Sequence, residues 1–347
     1  MRTNRILSAL AVAPLALALL GQPAHADREA GERAAPKQVL DVSDLETGAP
    51  PSVAWAERVN AKLTTIHGPD GNTPVRDGDL RAFAPMGSGY VVQQGTTVRW
   101  IAADGTPGAK TWRSGSGLAV SARGGAVAFA GPRGRVTVID SEGDRVLRMA
   151  PVPARGSTAA AGVAGEDCKE DGTSNGCTVF VNSLVEPVSW LTSSHGIVDT
   201  ARFQQVSTVR GRWLGGITKI TDTGTCNAMK RNVRTKWTTC RNRFSDIAPG
   251  NRRVIGLPAY GDGFGPTTLD VLEVRTGARV RSWTAARNGQ SAAYFGELWE
   301  DPDHVLIETF QANRCAIVRL GVDGSMEYAV APRRCTMTTD KLWLQTR

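Results

Sequence analysis

Residues 118–149 read LAVSARGGAVAFAGPRGRVTVIDSEGDRVLRM, four short apolar runs separated by three turn signals. Leu118-Ala119-Val120-Ser121 reads as a first strand, and Arg123-Gly124-Gly125 as the turn that ends it. Ala126–Ala130 is a second strand, closed by Gly131-Pro132-Arg133-Gly134. Residues 135–140 (RVTVID) make a third, Ser141-Glu142-Gly143 turns again, and residues 145–149 make a fourth. The runs are too short for helices, and the glycines and proline between them supply the backbone geometry of tight turns. Four antiparallel strands in about 32 residues form one small sheet.

The same grammar extends in both directions. Turn pairs recur as Asp70-Gly71, Asp104-Gly105, Glu142-Gly143, His195-Gly196, Thr276-Gly277 and Asp323-Gly324. The glycines are spaced 34, 38, 53, 81 and 47 residues apart, the 81 reading as two periods with one turn disguised. A period of about 40 to 50 residues with several strands per unit is the signature of a β-propeller. Units 80–112, 158–200, 203–240, 244–283 and 292–331 each hold four strand-like runs, which with 118–149 makes six. Residues 51–74 supply three further runs and residues 341–345 (KLWLQ) one. The expectation is an all-β, seven-bladed propeller over 51–347 whose last blade is shared by the two ends, a closure that leaves no open seam. Six or eight blades stay open because the turn of the unit 203–240 is obscured.

Arg2 and Arg5 precede an apolar run, residues 6–20, and then Ala24-His25-Ala26. This is the pattern of a secretory signal peptide, 1–26, with cleavage expected after Ala26. The run is short for a membrane span, and no later stretch approaches one. Residues 27–50 show no apolar period and read as a flexible lead. The formal charge of +8 becomes +6 without the leader, because Arg2 and Arg5 leave and no acid does. That mild excess raises the odds of an anionic partner only slightly. Nucleic acid is not expected, and the chain reads as a secreted monomer. The six cysteines argue for disulfides in an exported chain. Sequence proximity favours Cys168–Cys177, Cys226–Cys240 and Cys315–Cys335 among the fifteen pairings.

These repeats resemble the bacterial exported WD40-like propellers of the TolB and YVTN type. Those families favour Ser-Pro-Asp-Gly at the end of a first strand and Thr-Gly or Asp-Gly after a third. Here the first feature survives loosely as Ser121-Ala122-Arg123-Gly124 and Asp246-Ile247-Ala248-Pro249-Gly250. The second survives as Thr276-Gly277, Asp104-Gly105 and Asp323-Gly324, while the Gly-His and Trp-Asp pairs of eukaryotic repeats are missing. The resemblance implies a ligand face built from the loops that enter the central channel.

Three constellations could carry chemistry. The stretch 226–243 holds Lys230, Arg231, Arg234, Lys236, Arg241 and Arg243 with Trp237 among them and no acid. Stapled by a disulfide it would be a hairpin able to hold anionic polymers, or else a solvated outer edge that discourages strand pairing. Glu297, Glu300, Asp301 and Asp303, beside Trp299 and His304, offer the paired carboxylates of a glycosidase, but their position at a turn accounts for them. Residues 166–177 are rich in oxygen donors without the spacing of a calcium loop, and read as a disulfide-clamped insertion. Residues 261–265 (GDGFG) read as a surface loop. His67, His195 and His304 fall in different repeats, the first two at turns, so no metal site is expected. Trp100, Trp190, Trp283 and Trp343 lie in strand-like runs and are expected to pack between blades.

No nucleophile elbow, phosphate loop, zinc motif or dinucleotide fingerprint occurs. The expected function is a non-enzymatic, cofactor-free binding or scaffold module outside the cytoplasm. The rival is a propeller hydrolase or lyase with a composite channel site, and a third reading is an anion binder working through 226–243.

Overall fold

The computed structural model describes residues 36–347 except 77–78, 141–144, 166–167, 169–175, 200–202, 233, 262–265, 267, 285–292 and 337–341. The chain folds as a seven-bladed β-propeller of four-stranded antiparallel sheets, with no α-helix among the described residues. Blades 2 to 7 follow one another along the chain, and in each the four strands pair in sequence order. Their innermost strands are Leu80–Met86, Ser116–Val120, Thr158–Ala164, Gln205–Arg210, Asn242–Ile247 and Ala293–Trp299.

Blade 1 closes the ring. Leu342–Leu344 is its innermost strand and pairs antiparallel with Trp55–Asn60, Leu344 opposite Trp55 and Leu342 opposite Glu57. Leu63–Gly68 and Gly71–Arg76 complete that sheet, so one C-terminal strand joins three N-terminal ones. The turn hidden in the unit 203–240 lies between Arg231 and Arg234. There Asn232 takes φ +55, the left-handed conformation that asparagine tolerates better than most residues.

Strand periodicity explains the core. Along Ala126–Ala130 alternate side chains point to opposite faces, and each face meets a different blade. Val127 and Phe129 join Leu118, Val120 and Ile139 against Ala84, Met86, Val91 and Val98 of blade 2. Ala126, Ala128 and Ala130 join Val136 and Val138 against Val163, Val179 and Val181 of blade 4. Both faces are covered, so the strand is apolar throughout rather than alternating. Trp190 and Trp283 are buried in such cores, and Trp100 and Trp343 pack partly buried against them.

Of the expected flexible lead 27–50, residues 27–35 lie outside the described residues, and residues 36–50 are instead held against the propeller. Lys37–Val39 pairs in parallel with Arg279–Thr284, adding a fifth strand outside blade 6. Leu40 and Val42 are buried against blades 6 and 7, Thr47 bridges Tyr328, and the Tyr328 hydroxyl donates to the Val42 carbonyl. Such a strap has no apolar period because main-chain bonds and a few anchors hold it, and it covers an exposed sheet edge.

Candidate functional site

Each blade presents two sets of turns. The lower face carries the turns from first to second and third to fourth strands, and the upper face carries the others. Where the central channel opens on the lower face, a cavity of about 320 Å³ is lined by residues from all seven blades. Pro85, Ser121, Gly162, Arg210, Asp246 and Glu297 come from blades 2 to 7 in turn, and Arg347 follows the closing strand of blade 1.

Bulges aim several of these side chains. The inner strands of blades 2 to 7 each shift register against their second strands. The residues passed over at three of the shifts are Ala161, Ser207 and the pair Ser245-Asp246, and all four line the cavity. A bulge re-aims a side chain and commonly does so beside a functional site.

The polar groups form a mixed-charge cluster. Ser245 Oγ donates to Glu297 Oε1 at 2.5 Å, joining blades 6 and 7. The Trp299 amide donates to Asp246 Oδ2 at 3.1 Å and its indole N–H to the Asp246 carbonyl at 3.1 Å. Arg347 Nη1 lies 4.0 Å from Asp246 Oδ2. Arg210 donates to the Ile247 and Ala122 carbonyls, at 3.4 and 3.2 Å, so one guanidinium spans from blade 5 to blades 6 and 3.

Burial dominates the acidities. It pushes Glu297 up to about 7, with the Asp246 charge adding to the rise and the Ser245 bond and the Arg243 charge opposing it. Burial also raises the Asp246 carboxyl, against the pull of Arg347, the Trp299 amide and Arg210. Burial lowers the Arg347 guanidinium despite the Asp246 charge. Near neutral pH the site therefore offers a carboxyl that gives or takes a proton, a second buried carboxyl, and two guanidinium groups. It can hold a polar ligand that both donates and accepts hydrogen bonds.

The basic stretch 226–243 does not form one surface. Lys230 is buried, its ammonium 4.0 Å from the centre of the Phe203 ring. Trp237 packs edge-on against Phe244 at 5.0 Å and donates to the Val274 carbonyl at 2.8 Å, so it serves the contact between blades 5 and 6. Arg231 and Arg234 flank a lower-face turn, with Arg231 over the Trp213 ring at 5.8 Å. Lys236 is exposed along the outermost strand Arg234–Thr239. Arg241 stands at the upper face, and Arg243 lies on the inner strand of blade 6. The cations of the stretch therefore divide between packing, two faces and the channel.

Glycine 277 supports this indole. It sits at φ +77, and a Cβ there would meet Trp237 ring atoms at 2.7 Å. Gly277→Ala is therefore expected to lower stability by roughly 1–3 kcal/mol, through backbone strain and overpacking, in urea unfolding.

The acidic segment also divides. Glu297 faces the channel rather than a turn. Glu300 is buried and binds Arg319, whereas Asp301 accepts from the amides of Asp303 and His304 and pairs with His304 Nδ1 at 2.8 Å. Asp303 pairs with Arg253. His67 lies within a strand, not at a turn, stacked on Trp55 with centroids 4.0 Å apart. His195 stands at an exposed turn. No group of three or more metal-ligating side chains occurs among the described residues.

Cys168–Cys177, Cys226–Cys240 and Cys315–Cys335 lie at disulfide distance, with Cα separations of 4.6, 4.0 and 5.8 Å. The leader with its Ala26 site, most of the loop 166–177 and residues 262–265 lie outside the described residues. No described helix is long and apolar enough to cross a membrane.

The fold and the channel cluster define a β-propeller with a composite polar cavity on its axis. The chain matches no protein-family model and no curated protein. Among solved structures it is similar to the complex of KlAtg21 with the coiled-coil of AgAtg16, at 11% identity and TM-score 0.54, over 86% of this chain and 100% of the other. The Cps50 (Swd1) propeller domain of Myceliophteria thermophila follows at 11% identity and TM-score 0.48, over 75% and 87% of the two chains. The Pan2 WD40 domain of Neurospora crassa is similar at 12% identity and TM-score 0.43, over 75% and 86%. At such identities the likeness concerns the fold.

Proposed function

We propose that the protein is an exported, non-enzymatic binding module of the TolB and YVTN kind. Its ligand is a small polar molecule, or a protruding polar segment of a protein partner, held at the lower mouth of the channel. The reading rests on one observation: a cavity drawn from all seven blades, with Asp246, Glu297, Arg210 and Arg347 converging on it. Concave sites with a few convergent polar groups are where ligands bind. Removal of residues 1–26 after Ala26 and three paired disulfides suit a secreted monomer that needs no cofactor. In a thermal-shift panel of oligosaccharides, wall-polymer fragments and short peptides, one class is expected to raise the melting temperature by mass action. Asp246→Asn and Arg210→Gln should abolish that shift while melting cooperatively on their own. An undiminished shift in both variants would overturn the reading.

A second reading has a specific observation in its favour. A buried carboxyl near 7 is suited to general acid–base work, so Glu297 could serve a hydrolase or lyase. Turnover of a wall sugar or lactone, lost in Glu297→Gln with folding intact, would establish it. Binding without turnover would leave the binding module standing.

A further inference from the structure

The lower face of blades 5 and 6 carries a band of arginines outside the channel cavity. Arg212 sits on the first turn of blade 5 and Arg231 and Arg234 flank its second. Arg252 and Arg275 occupy the corresponding turns of blade 6. All five are exposed. Main-chain bonds join the two turns within each blade: the Asn232 amide donates to the Arg212 carbonyl at 2.7 Å, and the Val274 amide to the Arg252 carbonyl at 2.9 Å. Between the blades, Asn251 lies beside Gly211. The band is thus one continuous surface assembled from residues 212 to 275, and no contiguous motif announces it.

Among the described residues, no acid pairs with any of these five arginines. The acid beside them, Glu273, is engaged by the Thr276 hydroxyl at 2.8 Å. Arg253, by contrast, is paired with Asp303 and takes no part. Arg231 is held over Trp213, which presents its guanidinium outward at a fixed place. Arg231 and Arg234 are cross-strand partners beside Arg212, and Arg252 and Arg275 stand on the next blade, so the five guanidinium groups outnumber the oxygens that one phosphate could offer them in pairs. Guanidinium forks match phosphate oxygens in pairs.

We propose that this band binds a flexible polymer bearing repeated phosphate groups, laid across the turns of blades 5 and 6. The inference is independent of the channel reading and replaces the hairpin 226–243 as the place where a polyanion binds. Each arginine neutralises a backbone charge and releases a counterion, so the affinity falls steeply with salt.

The test uses the full chain and fluorescein-labelled inorganic polyphosphate, read by anisotropy between 50 and 200 mM NaCl. Four to five contacts predict a log–log salt slope of about −3. The variant Arg212→Glu, Arg234→Glu, Arg252→Glu, Arg275→Glu should bind at least about tenfold more weakly with a slope near zero. The upper-face variant Lys62→Glu, Arg155→Glu, Lys219→Glu is expected to bind within about twofold of wild type, since screened distant charges contribute little. Unchanged melting temperatures for both keep folding out of the comparison. Wild-type affinity in the band variant would overturn the proposal, as would equal loss in the upper-face variant. Tighter binding of poly-glutamate of the same charge would overturn it in favour of an acidic polypeptide. Competition by orthophosphate at equal phosphate concentration would overturn the polymeric reach.

Discussion

Arg319→Met is expected to cost about 3–5 kcal/mol of unfolding free energy, the usual consequence of leaving a buried charge without its partner. Arg319 donates to both oxygens of Glu300, Nε at 2.5 Å and Nη2 at 3.0 Å, and the two side chains are only 11% and 3% exposed. It also pairs with Glu327 and reaches the carbonyls of Ala49 and Pro50 at 3.1 and 3.2 Å. Glu300 in turn accepts from the Ser52 amide at 2.6 Å. One guanidinium therefore ties the N-terminal strap to blade 7. Burial works to raise Glu300, but the bonds from Arg319 and Ser52 outweigh it and hold the carboxyl below its usual range. Its contribution is present above the unfolded carboxyl value and is lost as pH falls through the lower folded one. The double variant Arg319→Met, Glu300→Met should lose less than Arg319→Met alone, since no orphan charge remains. A loss under about 1 kcal/mol, as for an exposed pair, would show that the strap is held otherwise.

Glu297→Gln is expected to act in the opposite direction, stabilising the fold at pH 8 by roughly 3 kcal/mol. Its carboxyl is raised from 4.5 to about 7, so the folded state holds the proton more tightly than the unfolded chain. The favourable contribution is complete below the unfolded value and is lost as pH rises to about 7. Glutamine keeps an acceptor for Ser245 and removes the titration. Urea unfolding should give nearly equal stabilities at pH 4 and a widening gap up to pH 7. Parallel curves for the two proteins would place Glu297 in water rather than in the channel wall.

The repeat was legible because it rests on local chemistry. Glycine marks turns such as Thr276-Gly277, and the short apolar runs of 118–149 mark strands, whatever lies elsewhere in the ring. The closing strand was legible too, since KLWLQ needs a partner sheet and residues 51–74 lack one strand. The site was not. Ser245, Asp246 and Glu297 were visible as residues, but the bulge that turns Ser245 and Asp246 inward depends on register between strands, which leaves no mark in composition. The basic stretch divides for a related reason. Charge density along 226–243 is real, yet strand geometry sends Lys230 beneath Phe203 and parts Arg243 from Arg234. The arginines that do lie together, Arg212 and Arg234 with Arg252 and Arg275, are distant in the chain. The strap 36–52 was missed because its anchors Leu40, Val42 and Tyr328 follow no period.

The central claim is that ligand is held where the seven inner strands meet at the lower channel mouth. Hydrogen exchange of the full chain, with and without the panel member that raises its melting temperature, tests this directly. The account predicts ligand protection at residues 121–124, 207–210, 245–246, 297–298 and 345–347, each from a different blade. Protection confined to the upper-face turns 184–187 and 219–223 would contradict it. Protection of the arginine band alone would refute the channel site while leaving the polyanion surface intact.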